Sequence, residues 1–192
     1  MHRLERSDLW SLAEYEVERE GFRRRIIDLK KSRRMRVGRL LSLVFENRDT
    51  VQFQVQETLR AEQVSDPERV QEELDIYNTL LPASGELSAT LFIEVLEPDR
   101  LPAEMARLRG LDRAVYLEIG SQRVRAVFEE GRSTERALST VQYLKFPLTP
   151  SLAKAFRTGE GRVTLLVDHP NYRESSVLSS ETRLSLAGDL EE

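Results

Sequence analysis

The sequence predicts an α+β fold, and three observations predict it. Leu87–Val95 is a nearly continuous apolar run with β-branched content, the mark of a central strand covered on both faces. Ala114–Ile119 and Arg123–Phe128 alternate about Gly120-Ser121 as a hairpin does. Helix-start signatures such as Asp66-Pro67-Glu68 and Thr149-Pro150 place single helices between such strands. Hairpins joined by single helices argue for a largely antiparallel sheet with N-terminal helices, an inserted helix pair and a C-terminal helix. At 192 residues, 40% hydrophobic and 32% charged, the chain closes one good core, so a single domain over 1–192 is expected. Within it a helical segment, 1–36, packs on an α+β core, 37–192.

Taken in order, Ser7 caps a first helix holding Leu9, Leu12 and Ala13, and Gly21 separates it from a second helix, Phe22–Lys31. Gly38 opens a strand through Leu40–Phe45, and Asn47-Arg48-Asp49 turns the chain into a second strand. In that strand Val51, Phe53 and Val55 alternate with Gln52, Gln54 and Gln56, which gives an apolar face and a carboxamide face. Glu57–Val64 reads as a short helix, and Val70, Leu74 and Tyr77 share one face of the helix that Asp66 caps. Pro82 and Gly85 stop it. A short helix lies between Pro98 and Gly110, a strand at Val141–Phe146, a helix from Thr149 to Phe156 and a strand at Val163–Val167. Asp168-His169-Pro170-Asn171-Tyr172 ends that strand in a loop, and Ser179 caps a terminal helix.

Composition excludes several chemistries. The chain has no cysteine, which removes disulfides, thiolate nucleophiles, zinc ribbons and iron–sulfur ligation, and fits a reducing cytoplasm. No run has signal-peptide or membrane-span character, so a soluble cytoplasmic protein is expected. Neither GxxxxGK[ST] nor GxGxxG nor GxSxG occurs, and two histidines, His2 and His169, cannot build HExxH or paired ExxH sites. No cofactor and no metal is assigned to the chain.

What remains is a loop, a set of carboxylates, a glutamine row and a basic cluster. His169 and Tyr172 end a strand, and Glu57, Glu62 and Glu73 are the carboxylates that an acid/base or divalent-cation site would recruit beside them. The competing reading makes His169 structural and pairs the carboxylates with residues such as Arg60 and Arg69. Gln52, Gln54 and Gln56 either face a partner or are covered by the helices of the same chain. Residues 1–36 carry 11 Lys and Arg against 7 Asp and Glu, within a chain of net charge −4. Arg23, Arg24, Lys30, Lys31, Arg33 and Arg34 are the anion-binding candidates, against the reading that they are the solvated face of a helix buried at Phe22, Ile26 and Leu29. A nucleic acid is disfavoured, because the chain is net acidic.

Five blocks carry a resemblance: 43–51, Gln56-Glu57-Thr58-Leu59-Arg60-Ala61-Glu62, Glu73-Leu74-Asp75-Ile76-Tyr77-Asn78, 86–94 and 168–172. In this order they resemble the bacterial domain of unknown function family 3501, over nearly the whole chain, with a departure at Gly21 where proline is expected. The resemblance brings no activity. It implies a gene setting near rubrerythrin-type and iron–sulfur proteins, hence a redox or oxidative-stress context. The expected function is a binding or accessory module for a protein partner that itself holds the metal, with a homodimer open. The alternatives are a divalent-cation-assisted hydrolase or lyase using carboxylates with His169, and an anion or nucleic-acid binder.

Overall fold

The computed structural model describes residues 2–129 and 138–190. Its elements are α1 (Leu12–Lys31), β1 (Arg34–Val37), β2 (Leu41–Glu46), α2 (Arg48–Ala61), α3 (Pro67–Tyr77), β3 (Glu86–Ile93), α4 (Leu101–Arg107), β4 (Val115–Ile119), β5 (Gln122–Arg125), β6 (Val127–Phe128), β7 (Val141–Pro147), α5 (Pro150–Thr158), β8 (Val163–His169), β9 (Tyr172–Val177) and α6 (Ser180–Ala187). The class is α+β. The single antiparallel sheet read from the sequence is two: a larger one ordered β1-β2-β3-β7-β6 and a smaller one ordered β5-β4-β8-β9. The split falls inside the hairpin strand 123–128. On either side of Ala126, β5 pairs with β4 while β6 pairs with β7, so one run of chain serves both sheets.

The larger sheet is the middle of three layers. Its Leu41, Leu43, Phe45, Leu87, Ala89, Leu91, Leu144 and Phe146 pack with Val115, Leu117, Leu165 and Val167 of the smaller sheet. Because strand side chains alternate, the opposite face carries Ser42 and Glu46, Ser88 and Thr90, Tyr143 and Lys145. Helices α1–α3 cover that face, with Val51, Val55, Leu59, Leu74, Leu80 and Leu81 clustered and Tyr143 packed against them. As expected, β3 is central, lying between β2 and β7, and Leu91 is fully buried. Asp66, Thr149 and Ser179 cap their helices as the sequence indicates, and Gly120-Ser121 is the two-residue turn between β4 and β5.

Four expectations are corrected. Residues 51–56 are helix: Asn47 accepts from the Thr50 N–H and Thr50 answers the Asn47 N–H, a reciprocal cap at the position read as a hairpin turn. The Val-Gln-Phe-Gln-Val-Gln alternation fits a strand, but Val51, Val55 and Leu59 at i, i+4 and i+8 fit a helix equally well, and burying them against α3 decides it. Helix α1 runs straight through Gly21 and starts at Ser11, whose hydroxyl and Glu14 form the cap, rather than at Ser7. Mid-helix glycine costs about 1 kcal/mol, which the burial of Tyr15, Phe22 and Ile26 along the same helix outweighs. The sheet begins at Arg34, before Gly38, so the helical part of the N-terminal segment ends at Lys31. Pro170-Asn171 is a tight turn rather than a loop, and it starts β9, whose polar, exposed face hides it from hydrophobic periodicity.

Gly38 sits at φ +63° in the β1–β2 turn, and a Cβ there would run into the Tyr172 hydroxyl and the Glu174 side chain. That close approach joins the edge of the larger sheet to β9. Among the described residues, no helix is long and apolar enough to cross a membrane.

Candidate functional site

The structure does not bring His169 and the nominated carboxylates together. His169 is 3% exposed at the end of β8, and both ring nitrogens are used. Nε2–H donates to the Arg109 carbonyl at 2.8 Å and Nδ1 accepts from the Asn171 N–H at 3.2 Å, which fixes the orientation of the ring. Tyr172 donates to the Val37 carbonyl and accepts from the Leu40 N–H, and burial pushes its hydroxyl pKa up. These two side chains tie the turn at Pro170 to α4 and to the larger sheet. Glu57, Glu62 and Glu73 belong to the helical layer. Glu57 accepts two bonds from Arg19, at 2.8 and 2.9 Å, and one from the Tyr15 hydroxyl. The Arg19 hydrogen bond holds the Glu57 carboxyl below the usual carboxylate range, against the opposing pull of desolvation. Glu62 reaches Arg69 at 4.0 Å on the exposed side, and Glu73 is half-buried on α3.

The glutamines do not form a row, because a helix turns successive even positions to different sides. Gln56 is fully buried; its oxygen accepts from the Trp10 N–H at 2.7 Å and its amide donates to the Trp10 carbonyl at 3.4 Å. Gln52 donates to the Asp8 carbonyl at 2.6 Å. Gln54 points the other way and donates to the Glu46 carboxylate at 3.1 Å. Gln52 and Gln56 are thus taken up by the chain's own N-terminal segment, and Gln54 by Glu46.

The basic cluster separates into used and unused charges. Arg33 is buried against Asp189 and leaves the anion-binding set. Arg24 pairs with Glu20, Arg25 with Asp49 and Lys31 with Asp28. Among the described residues, Arg23, Lys30 and Arg34 have no carboxylate partner. Lys30 lies 5.7 Å from the Phe53 ring centroid and Arg34 lies 5.7 Å from that of Phe92. Arg23, Ile27 and Lys30, at i, i+4 and i+7, form one stripe of α1, and Ile27 on it is 44% exposed. The stripe leads through Ser32 to Arg34 at the sheet edge. A line of cations around an exposed isoleucine, two of them over aromatic rings, is suited to an acidic surface.

The sequence nominated the cations and missed what lies beneath them. Phe53 and Phe92 stand far apart along the chain, one placed in the wrong element and one read as core, so no local pattern linked them to Lys30 and Arg34. Also unsignalled was Glu46, 3% exposed, which accepts from Thr50 at 2.5 Å, Thr90 at 2.6 Å and Gln54. Its partners come from α2 and from the neighbouring strand β3 of its own sheet. A cleft of about 280 Å³ opens nearby, lined by Leu80, Ser88, Val127, Phe128, Tyr143 and Lys145, and the Lys145 ammonium in it is held by Glu86 at 3.0 Å. No group of three or more metal-binding side chains occurs among the described residues.

Together these features describe an α+β protein in which His169, Tyr172 and Glu57 serve internal hydrogen bonds and in which Arg23, Lys30 and Arg34 keep charges without a carboxylate partner. The chain belongs to the family described as protein of unknown function DUF3501, whose model matches residues 3–190. It is similar to a protein of Burkholderia pseudomallei K96243 solved by crystallography and described as a novel protein of unknown function. The two are 33% identical with a TM-score of 0.93, over 98% of this chain and 100% of that one. No protein of curated function matches the chain.

Proposed function

We infer that this protein is a binding module that docks on an acidic face of a partner protein through Arg23, Ile27, Lys30 and Arg34. The observation that carries the reading is that Lys30 and Arg34 stand over Phe53 and Phe92 without a carboxylate, while Arg24, Arg25 and Lys31 beside them are paired. Arginine and aromatic side chains concentrate binding energy at interfaces, and an unpaired cation on a ring keeps its charge available to an incoming carboxylate. The module supplies contact and leaves chemistry to the partner. A metal- or iron–sulfur-bearing partner of the rubrerythrin type fits this role, and a chain without cysteine fits the reducing cytoplasm in which such a partner works.

The test is affinity capture from the native host with mass spectrometry, run in parallel on the wild type and on the Lys30→Glu, Arg34→Glu double variant. The wild type should retain an acidic protein that the variant loses, with the melting temperature of the variant within about 2 °C of the wild type. Retention should weaken steeply with salt. Identical capture by both proteins would remove the reading, and salt-sensitive binding of an oligonucleotide in place of a protein would give the surface to nucleic acid.

A further inference from the structure

Residues 3–8 lie as a strap across the groove between α2 and α3. Asn78 holds the strap by both backbone groups of Leu4, accepting from its N–H at 2.8 Å and donating to its carbonyl at 3.0 Å. Leu4, 2% exposed, fills the apolar cluster with Leu74, Leu80 and Leu81. At the other end Gln52 donates to the Asp8 carbonyl and Arg48 pairs with the Asp8 carboxylate at 2.6 Å. Beyond it, Leu9 is extended, with φ −103° and ψ 141°, and Trp10 is clamped by Gln56. The strap therefore hangs from a fixed point through one extended residue. It also underfills its groove: open cavities of about 450 and 400 Å³ flank it, the first beside Gln71 and Asp75, the second beside Leu59, Val64 and Val70.

We propose that this groove accepts residues 3–8 of a second copy of the chain, the straps of two copies exchanging reciprocally about Leu9. A groove that reads this short segment, whose Arg6–Asp8 part is a 3-10 turn, through carboxamide contacts to its backbone, one leucine and one aspartate is complementary to it whichever copy supplies it. A second copy is thus the partner whose chemistry the page specifies in full. Reciprocal exchange closes with two-fold symmetry and leaves no strap or groove unsatisfied. The open cavities let the strap leave without unpacking the α2–α3 contact, and the anchored Trp10 keeps α1 in place while Leu9 turns. Because each strap has an effective concentration on the order of mM for its own groove, exchange is concentration-dependent.

The cysteine-free sequence makes the test direct. A donor dye goes on the strap of one population through His2→Cys, and an acceptor on the exposed side of α3 in another through Glu72→Cys. Mixed at about 1 mM, the two should develop energy transfer between copies, alongside a dimer peak in size-exclusion chromatography. Asn78→Ala in both populations, which removes the clamp on Leu4 and leaves Leu4 itself intact, weakens the strap equally in the closed copy and in the exchanged dimer, so it should speed the approach to the final transfer at least about tenfold without changing its level. Leu4→Asp on the donor strap should abolish it; where that variant does not fold, the Asn78→Ala comparison decides. Absence of transfer between folded copies at about 1 mM overturns the proposal, and so does transfer whose rate of onset Asn78→Ala leaves unchanged, which would put the dimer on another surface.

Discussion

Arg33 and Asp189 form an ion pair inside the protein, their side chains 1% and 7% exposed. Arg33 spends its remaining donors on backbone: Nε on the Phe45 carbonyl at 2.9 Å, Nη2 on that of Glu46 and Nη1 on that of Ser185, both at 3.2 Å. Arg33, two residues past the end of α1, thereby joins the end of β2 to the turn after α6. A charge read from the sequence as part of an anion-binding cluster is instead the bolt between the α1–β1 junction and the segment around α6.

Asp189→Ala should lower the stability to urea by about 3–5 kcal/mol, since it leaves a buried guanidinium without its counter-charge. Asp189→Asn, which still accepts a hydrogen bond, should lose less. Equal losses in the two variants would show that the charge contributes nothing beyond the hydrogen bond.

Gln54→Glu should cost more than Gln52→Glu. The Gln54 amide donates to the buried Glu46 carboxylate, so the change sets two carboxylates against each other, whereas Gln52 meets the Asp8 carbonyl at a half-buried site. A melting-temperature fall for Gln54→Glu at least twice that for Gln52→Glu at pH 7 is the expected reading.

Leu91→Ala should cost about 2–5 kcal/mol, because Leu91 is fully buried in β3 between the two sheets. A loss under about 1 kcal/mol in chemical denaturation would mean that the inter-sheet core collapses around the gap.

The Arg19–Glu57 pair makes part of the stability acid-sensitive. A carboxyl whose pKa is lower folded than unfolded stabilises fully above the unfolded value, near 4.3, and the contribution is lost as pH falls through the folded value. The wild type should therefore lose stability below about pH 4 more steeply than Glu57→Gln, which keeps the Tyr15 contact without the charge. Parallel pH profiles for the two proteins would contradict this.

The elements legible in the sequence are those whose cause is local. Asp66-Pro67, Thr149-Pro150 and Ser179 begin helices because a side-chain oxygen and a fixed proline φ act within one turn. Gly120-Ser121 makes a hairpin by itself, and the apolar residues of β3, Leu87, Leu91, Phe92 and Ile93 among them, mark it as a central strand. Tertiary structure decided the rest. Residues 51–56 satisfy a period of two and a period near 3.6 alike, and only the apolar surface of α3 chose the helix. Gly21 was overruled by burial along the whole of α1, and β9 was set by its pairing with β8 rather than by its own residues. The candidate site divides in the same way. Charge and spacing along α1 disclosed Arg23, Lys30 and Arg34, but which cations keep a free charge depends on the carboxylates and rings that other elements bring beside them. Sequence fixes what a residue can offer, and the fold, by burying or pairing it, settles whether the offer stays open.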